Sequence, residues 1–461
     1  MNLNVTLISH EMLVVLLGLA VLLVDLWLPA SSKPKLGYAA ALGLGAILLY
    51  SFCSFQGPAG QAEYAFGKMY ILDGQALFFK RFFLLAGLVV LVISVEFSDR
   101  FHAGVGEYYA LLLFALTGML FASSANDFSL MFVSLELITV TFYVLTSFQR
   151  GRVASLEAGV KYLIIGALST AFTVFGIALV YGIGGKLNFE ELREVAGQFQ
   201  GNKIFLFGLL LILVGLGFKI AAFPFQIWAP DVYQGAPAPV GAYVATVSKG
   251  AMFALLLRYF WPVSLDTGSS LFLVFAAVAI ASMLAGNLLA LRQDNVKRIL
   301  AYSSIANLGY LLVAFLATGE QAAVAVTFFL VAYFATTLVA FGVVAALSSP
   351  ERDADSLADY RGLAHTRRWT AAAFTVALFS LAGMPLTMGF IGKFYVITAG
   401  AGAALWALVI VLVLTSTIGL YYYTRIVVAM WVRQPDENAE AVGTAIAGGP
   451  AAVLASRHLY L

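Results

Sequence analysis

Charge is what this sequence has least of. Only 11% of its 461 residues are Asp, Glu, Lys or Arg, against 62% hydrophobic, whereas soluble domains are roughly half apolar and a quarter charged. So few polar groups cannot cover a water-exposed surface, and the chain reads as an all-α, polytopic membrane protein. The single cysteine, Cys53, excludes an internal disulfide, a Cys-x-x-Cys centre and any cluster ligated by several thiolates. Histidine is almost as scarce: His10, His102, His365 and His458 fall near segment ends or in polar stretches, with no facing pair to hold a haem. Nothing therefore points to electron-carrying chemistry in this chain. The net charge of +2 is too small to suggest a nucleic-acid partner. The first apolar run, Met12 to Pro29, is followed by Lys33 and Lys35 rather than by a small-residue cleavage site, so it reads as a first span rather than as a cleaved signal.

What is present is membrane-length apolar sequence, almost without pause. A spanning helix needs about 20 mostly apolar residues. Such runs fall near 8–29, 36–56, 75–96, 107–125, 128–149, 160–184, 203–227, 239–262, 269–291, 299–318, 321–348, 370–397 and 403–431. No polar stretch exceeds the 182–202 and 349–369 connections, so no soluble domain is expected, and Glu190, Glu191, Arg193 and Glu194 mark a short surface helix. With the N-terminus outside, the inner loops carry Lys33, Lys35, Arg100, Arg150, Arg152, Arg292, Lys297, Arg298, Arg352, Arg361, Arg367, Arg368 and Arg433. The outer loops then keep only Lys68, Lys186, Arg193 and Lys203, an asymmetry that favours this orientation.

Two spans are interrupted alike. Residues 215–230, GLGFKIAAFPFQIWAP, and 382–393, AGMPLTMGFIGK, set glycine and proline inside an apolar run. Proline removes a backbone donor, and the freed carbonyls at membrane depth need protein or water partners. Paired broken helices point to a transfer site between two repeats. The expected organisation is a three-helix segment (1–100), two five-helix units (107–262 and 269–431) and a tail (432–461) whose weakly apolar 441–455 does not span. An odd helix count inverts one unit against the other.

Single ionisable groups stand within these runs: Glu136, Lys161, Lys219, Lys249 and Lys393. A charge at bilayer depth costs about 3 kcal/mol on insertion scales, and such groups usually face the bundle interior, pair with one another and mark proton or ion routes. Glu136 shares a helical face with Thr139 and Tyr143. Lys219 precedes Pro224, Lys249 sits among small residues with Thr246 one turn back, and Lys393 follows the second break. Burial disfavours a lone charge of either sign, so a Glu136–Lys219 pair is a switch whose state changes when its partners separate. Lys161 lies only a few residues inside its span, where anchoring at the interface is as good a reading as function; Asp25, Lys80 and Arg81 read as boundary groups. Ser303, Asn307 and Tyr310 form a polar stripe fit either to order water or to glue helices together.

The segments VSLELITVTFYVL, EAGVKYLIIGALSTAF, GFKIAAFPFQIWAPDVYQGAPAPV, ATVSKGAMFALLLR, VKRILAYSSIANLGYLL and GMPLTMGFIGKFYV resemble the antiporter-like membrane subunits of proton-translocating NADH-quinone oxidoreductase, respiratory complex I, most of all the N-subunit family. The resemblance runs from about residue 70 to 431. It implies that Glu136, Lys161, Lys219, Lys249 and Lys393 stand for the family's glutamate and lysines on spanning helices 5, 6, 7, 8 and 12, forming an inner half-channel, a central hydrated axis and an outer exit. It implies discontinuous helices 7 and 12, flavin, iron–sulfur clusters and quinone in partner subunits, M-type and K-type neighbours, and a bacterial inner membrane. Lysine at 393 fits the N-type rather than the M-type pattern, and the long lateral helix of the L-type is absent. Asn307 stands where the family commonly has histidine, so that position cannot titrate here. The expected function is redox-driven proton translocation without redox chemistry in this chain. A Mrp-type cation/proton antiporter subunit and a purely structural scaffold are the rivals.

Overall fold

The computed structural model describes residues 4–53, 62–101, 104–199, 201–260, 269–349 and 352–432. The expectation for 441–455 falls outside them. The helices are α1 (Ser9–Asp25), α2 (Leu36–Cys53), α3 (Gly74–Ser98), α4 (Val105–Ser124), α5 (Phe128–Thr146), α6 (Val153–Gly184), α7 (Phe189–Ala196), α8 (Lys203–Ile220) and α9 (Trp228–Gly235). There follow α10 (Ala238–Tyr243), α11 (Lys249–Tyr259), α12 (Ser270–Leu291), α13 (Val296–Ala317), α14 (Gly319–Leu347), α15 (Leu363–Thr366), α16 (Arg368–Ala382), α17 (Met388–Gly402) and α18 (Trp406–Trp431). A small hairpin, β1 (Glu63–Ala65) with β2 (Tyr70–Leu72), precedes α3.

Among the described residues, 12 helices are long and apolar enough to cross a membrane, and Arg368–Ala382 is a shorter apolar one. Helix starts follow the sequence: Asp73, Asp127, Asn188, Asn202, Ser269, Asn295 and Thr387 each accept a hydrogen bond from a backbone N–H of the turn they open. Each such cap contributes about 1 kcal/mol. The central apolar window of the Ala238–Tyr259 span is 100% buried and that of Val296–Ala317 is 94% buried, against 28% for Val153–Gly184. The span from α10 to α11 and α13 thus form the middle of the bundle, and α6 lies on its periphery.

The two expected interruptions are present. The run around Lys219 ends at Ile220 and resumes as α9, and the run around Lys393 is divided into α16 and α17. A second device also occurs twice. Before α5, Phe128 N–H donates to Leu187 O (3.1 Å) and Phe189 N–H to Asn126 O (2.9 Å), clasping the α4–α5 turn to the α6–α7 loop. Before α13, Val296 N–H donates to Asp355 O (2.6 Å) and Leu357 N–H to Asp294 O (3.0 Å), clasping the α12–α13 turn to the loop after α14.

Candidate functional site

Four of the five expected residues lie inside the bundle or at its inner edge. Lys219, the next-to-last residue of α8, is 5% exposed, and its Nζ donates to Thr139 Oγ1 (3.1 Å) and lies 3.8 Å from Glu136 Oε1. The carboxylate is held from the other side by the hydroxyl of Thr170 on α6 (2.7 Å). Three helices thus meet at one acid–hydroxyl–ammonium group. Glu136 is not sealed: its side chain is 28% exposed, and Val133, Val140 and Val144 beside it are open on the outer face of α5. Tyr143 stands beside the group, within electrostatic reach of Glu136 and next to Thr139; its ring packs edge-on against Tyr162, and Gly166 leaves room for its hydroxyl.

The α8 break leaves carbonyls to be satisfied. Ala221 turns left-handed (φ 60°), its N–H donates to Phe218 O (2.9 Å) and that of Ala222 to Gly217 O (2.8 Å), and Trp228 Nε1 also donates to Phe218 O at 2.9 Å. Phe223 N–H is taken by Ser282 Oγ at 2.9 Å. With its own carbonyl neighbours so occupied, Lys219 is free to reach across to α5.

Lys249 begins α11 directly after a π-helical turn, Val244–Ser248, and is fully buried. The wider turn shifts its side chain toward α13, where Nζ donates to Ser304 Oγ, and it lies 5.5 Å from the centroid of the Tyr233 ring. No carboxylate pairs with it among the described residues. From Ser304 a polar seam continues between α13, α12 and α18: Ser303 Oγ meets Tyr423 Oη, and Asn307 Nδ2 donates to Ser303 O (2.9 Å). Tyr422 Oη donates to Asn287 Oδ1 (3.1 Å), and Asn287 Nδ2 donates to Tyr310 Oη (2.9 Å). The Tyr422 and Tyr423 rings are 4.4 Å apart. Lys393 closes the seam, 5.1 Å from the Tyr310 ring centroid, its Nζ donating to Leu381 O (3.0 Å), Ala382 O (2.9 Å) and Ser416 Oγ (2.8 Å). It is 7% exposed, so it does not anchor a helix end in the interface.

Lys161 stands apart. Its side chain is 41% exposed and salt-bridged to Glu157 (2.5 Å) and Asp231 (2.7 Å), the latter also bound by Arg298 at 2.6 Å. It belongs to an ionic node at the bundle's edge rather than to the buried row.

Thr170, Ser304, Asn287, Tyr422, Tyr423 and Ser416 were not singled out from sequence, because each owes its place to a partner on another helix. Lys80, read from sequence as a boundary group, is fully buried and paired with Glu11. No group of three or more metal-ligating side chains occurs among the described residues.

The sequence matches the family described as NADH:quinone oxidoreductase/Mrp antiporter, TM, over residues 125–419. It is 42% identical over 393 residues to NADH-quinone oxidoreductase subunit N of Methylococcus capsulatus, covering 84% of this chain and 80% of that one. It is 40% identical over 449 residues to the subunit N of Dehalococcoides mccartyi, covering 94% and 91%. A chain of respiratory complex I from Thermus thermophilus with bound aureothin superposes with a TM-score of 0.78 at 33% identity, over 93% of this chain and 91% of that one. A chain of the Mrp complex from Dietzia sp. DQ12-45-1b shares the fold, with a TM-score of 0.74 over 93% and 81% at 22% identity. The chain belongs to the family of NADH-quinone oxidoreductase subunit N, the antiporter-like, proton-translocating membrane subunits of that enzyme.

Proposed function

We propose that this chain carries protons along the row Glu136–Lys219, Lys249 and Lys393 when quinone reduction in other subunits of the enzyme displaces charge near Glu136. It does so as a subunit without redox chemistry of its own; flavin, iron–sulfur clusters and quinone sit in partners, and M-type and K-type subunits are its neighbours. The site lies in a bacterial inner membrane with the N-terminus outside, and the segments 107–262 and 269–431 act as two inverted units. The clasp that recurs before α5 and α13, and the break that recurs in α8 and between α16 and α17, support that symmetry.

The observation that carries the reading is the meeting of Glu136, Thr139 and Lys219 at 3.1 to 3.8 Å. At 3.8 Å and an effective dielectric constant near 20, two unit charges interact by about 4 kcal/mol. While Glu136 is ionised and near, the ammonium is held; when the carboxylate is displaced or protonated, that support is withdrawn and the proton moves on. Lys249, bound to Ser304, beside Tyr233 and with no carboxylate partner among the described residues, accepts it at a site that gives it up readily. The hydroxyls and amides of Ser303, Asn307, Tyr423, Tyr422, Asn287 and Tyr310 order the passage to Lys393, from which the proton leaves outward. Asn307 orients without titrating. Lys161, with Glu157, Asp231 and Arg298, sits at the inner mouth, where its partners hold its head at the surface.

The test uses the assembled enzyme in vesicles. Lys219→Ala and Glu136→Gln impair proton pumping; normal pumping and turnover in both variants would discard the scheme. Sodium-dependent transport by the isolated chain in liposomes would instead favour a Mrp-type antiporter, and defects confined to assembly would favour a scaffold.

A further inference from the structure

A second buried triad of the same chemistry lies outside the row. Glu11 on α1 and Lys80 on α3 are 2.7 Å apart, with side chains 0% and 1% exposed. The hydroxyl of Tyr70, on β2, accepts from Lys80 and has two acceptors of its own, Leu7 O at 2.9 Å and Glu11 Oε1 at 3.2 Å. Acid, hydroxyl and ammonium therefore recur in the combination found at Glu136, Thr139 and Lys219, but more tightly closed. Stability alone does not call for such a group, since replacing a buried ion pair by apolar side chains of similar volume is often neutral or favourable.

Its place in the bundle gives it an inlet and an outlet. Glu11 lies about two helical turns from Asn4, Val5 and Thr6, which are exposed, with Leu7 and Tyr70 of the hairpin between. On the other side, Asp73, the cap of α3, holds Arg258 in a two-pronged pair at 2.8 and 2.9 Å. Arg258 ends the helix that Lys249 begins, about 13–14 Å of rise away, and both Asp73 and Arg258 are within electrostatic reach of Lys80. The other charged or titratable groups facing the triad are His10, whose ring packs on Tyr50, and Arg81, which donates to Ser51 O.

We propose that Glu11, Tyr70 and Lys80 form a second proton-holding site, on the N-terminal three-helix segment, that hands protons to the outer surface. The idea rests on reading the chain as a proton carrier. In the transfer, the Lys80 ammonium passes a proton to the Tyr70 oxygen as the Tyr70 hydroxyl passes its own from Leu7 O to Glu11. The products are a neutral amine and a neutral carboxylic acid, so the net charge of the triad stays at zero. Glu11 then releases its proton outward, and a proton from the interior restores the ammonium: one enters, one leaves. Although the two charges also meet directly, Tyr70 touches both partners and its hydroxyl can turn between two acceptors, which suits it to relay the proton.

The whole enzyme, reconstituted in vesicles, tests this through protons moved per NADH oxidised. Tyr70→Phe keeps the ion pair and removes only the hydroxyl; it lowers the ratio by the same fraction as Lys219→Ala. The double variant Glu11→Leu with Lys80→Met removes both charges together and lowers the ratio equally, and it carries the test if Tyr70→Phe does not assemble. An unchanged ratio in these variants, with Lys219→Ala still lowering it, reduces the triad to a clamp between α1 and α3 and leaves the row intact. An unchanged ratio in Lys219→Ala as well overturns the row and this site together.

Discussion

The two broken helices place a lysine beside a proline and then use it differently. At the first break the carbonyl of Phe218 is taken by Trp228 and the Ala221 N–H, and Lys219 points away to a hydroxyl and a carboxylate on α5. At the second, Lys393 turns back on its own break and donates to Leu381 O and Ala382 O. Those carbonyls are the negative end of the α16 dipole, which stands where a carboxylate would otherwise be needed. A carboxylate on another helix can move or be neutralised; a helix end cannot. On the proposed reading Lys219 acts as a switch and Lys393 as a fixed station, and the same sequence signal, a lysine near glycine and proline in an apolar run, does not tell them apart.

Removing each ammonium separates the two roles. Lys393→Met leaves two buried carbonyls without their donor, at about 1–3 kcal/mol for each acceptor so stranded. Lys219→Met strands no backbone group, because Phe218 O keeps Trp228. The expected outcome is a lower thermal midpoint and less assembled enzyme for Lys393→Met, and near-normal assembly with lost pumping for Lys219→Met. Equal losses of stability in the two would show that the breaks are not held as described.

The turns themselves sharpen the contrast. Both breaks begin with a left-handed residue, Ala221 at φ 60° and Gly383 at φ 81°. Gly383→Ala brings in the strain of that conformation, about 1–2 kcal/mol, and places a Cβ 2.8 Å from Lys393 Cδ, so it both destabilises the break and shifts the lysine. Ala221→Gly relieves strain and adds backbone freedom to the unfolded chain, for a net change within about 1 kcal/mol. Thermal unfolding of the two variants in the assembled enzyme measures the difference, and a loss in Ala221→Gly as large as in Gly383→Ala contradicts it.

How much of this the sequence disclosed follows from the same physics. Apolar runs of membrane length located the 12 spanning helices among the described residues, and glycine and proline located both breaks, the second of which divides the expected run 370–397 into α16 and α17. The facing of side chains was another matter, because helices such as α8 and α12 are apolar around their whole circumference and carry no stripe that separates inside from outside. Glu136, Lys219, Lys249 and Lys393 stood out as rare charges, and three of the four are buried. Lys161 stood out equally and lies at an exposed ionic node, since its depth depends on how far α6 extends past the bundle. Lys80 reads as a boundary group in the sequence but is buried, because its partner, Glu11, lies 69 residues away on α1. Asn287, Tyr422 and Tyr423 are unremarkable until α12, α13 and α18 meet.

The smallest expected effect concerns an ionic cluster at the ends of α6 and α13, which are tied by charge rather than by breaks. Asp353, in the loop after α14, is 2% exposed and accepts from Lys297 on α13 (2.8 Å) and from Arg152 at the start of α6 (3.0 Å). Burial alone would raise its carboxyl, but the charges and hydrogen bonds of Lys297 and Arg152 outweigh it and hold the group below the usual aspartate range. A carboxyl depressed in the folded state contributes stability that is present in full above the unfolded value of about 4 and is lost as pH falls through the folded value. Asp353→Asn removes that contribution and leaves Lys297 with the carbonyls of Gln234 and Ala236. The thermal midpoint of the variant therefore lies below that of the unaltered enzyme near neutral pH, and the gap narrows as the solution is acidified. A gap that stays constant, or widens toward acid, would show that Asp353 does not hold the α6, α9 and α13 ends together through its charge.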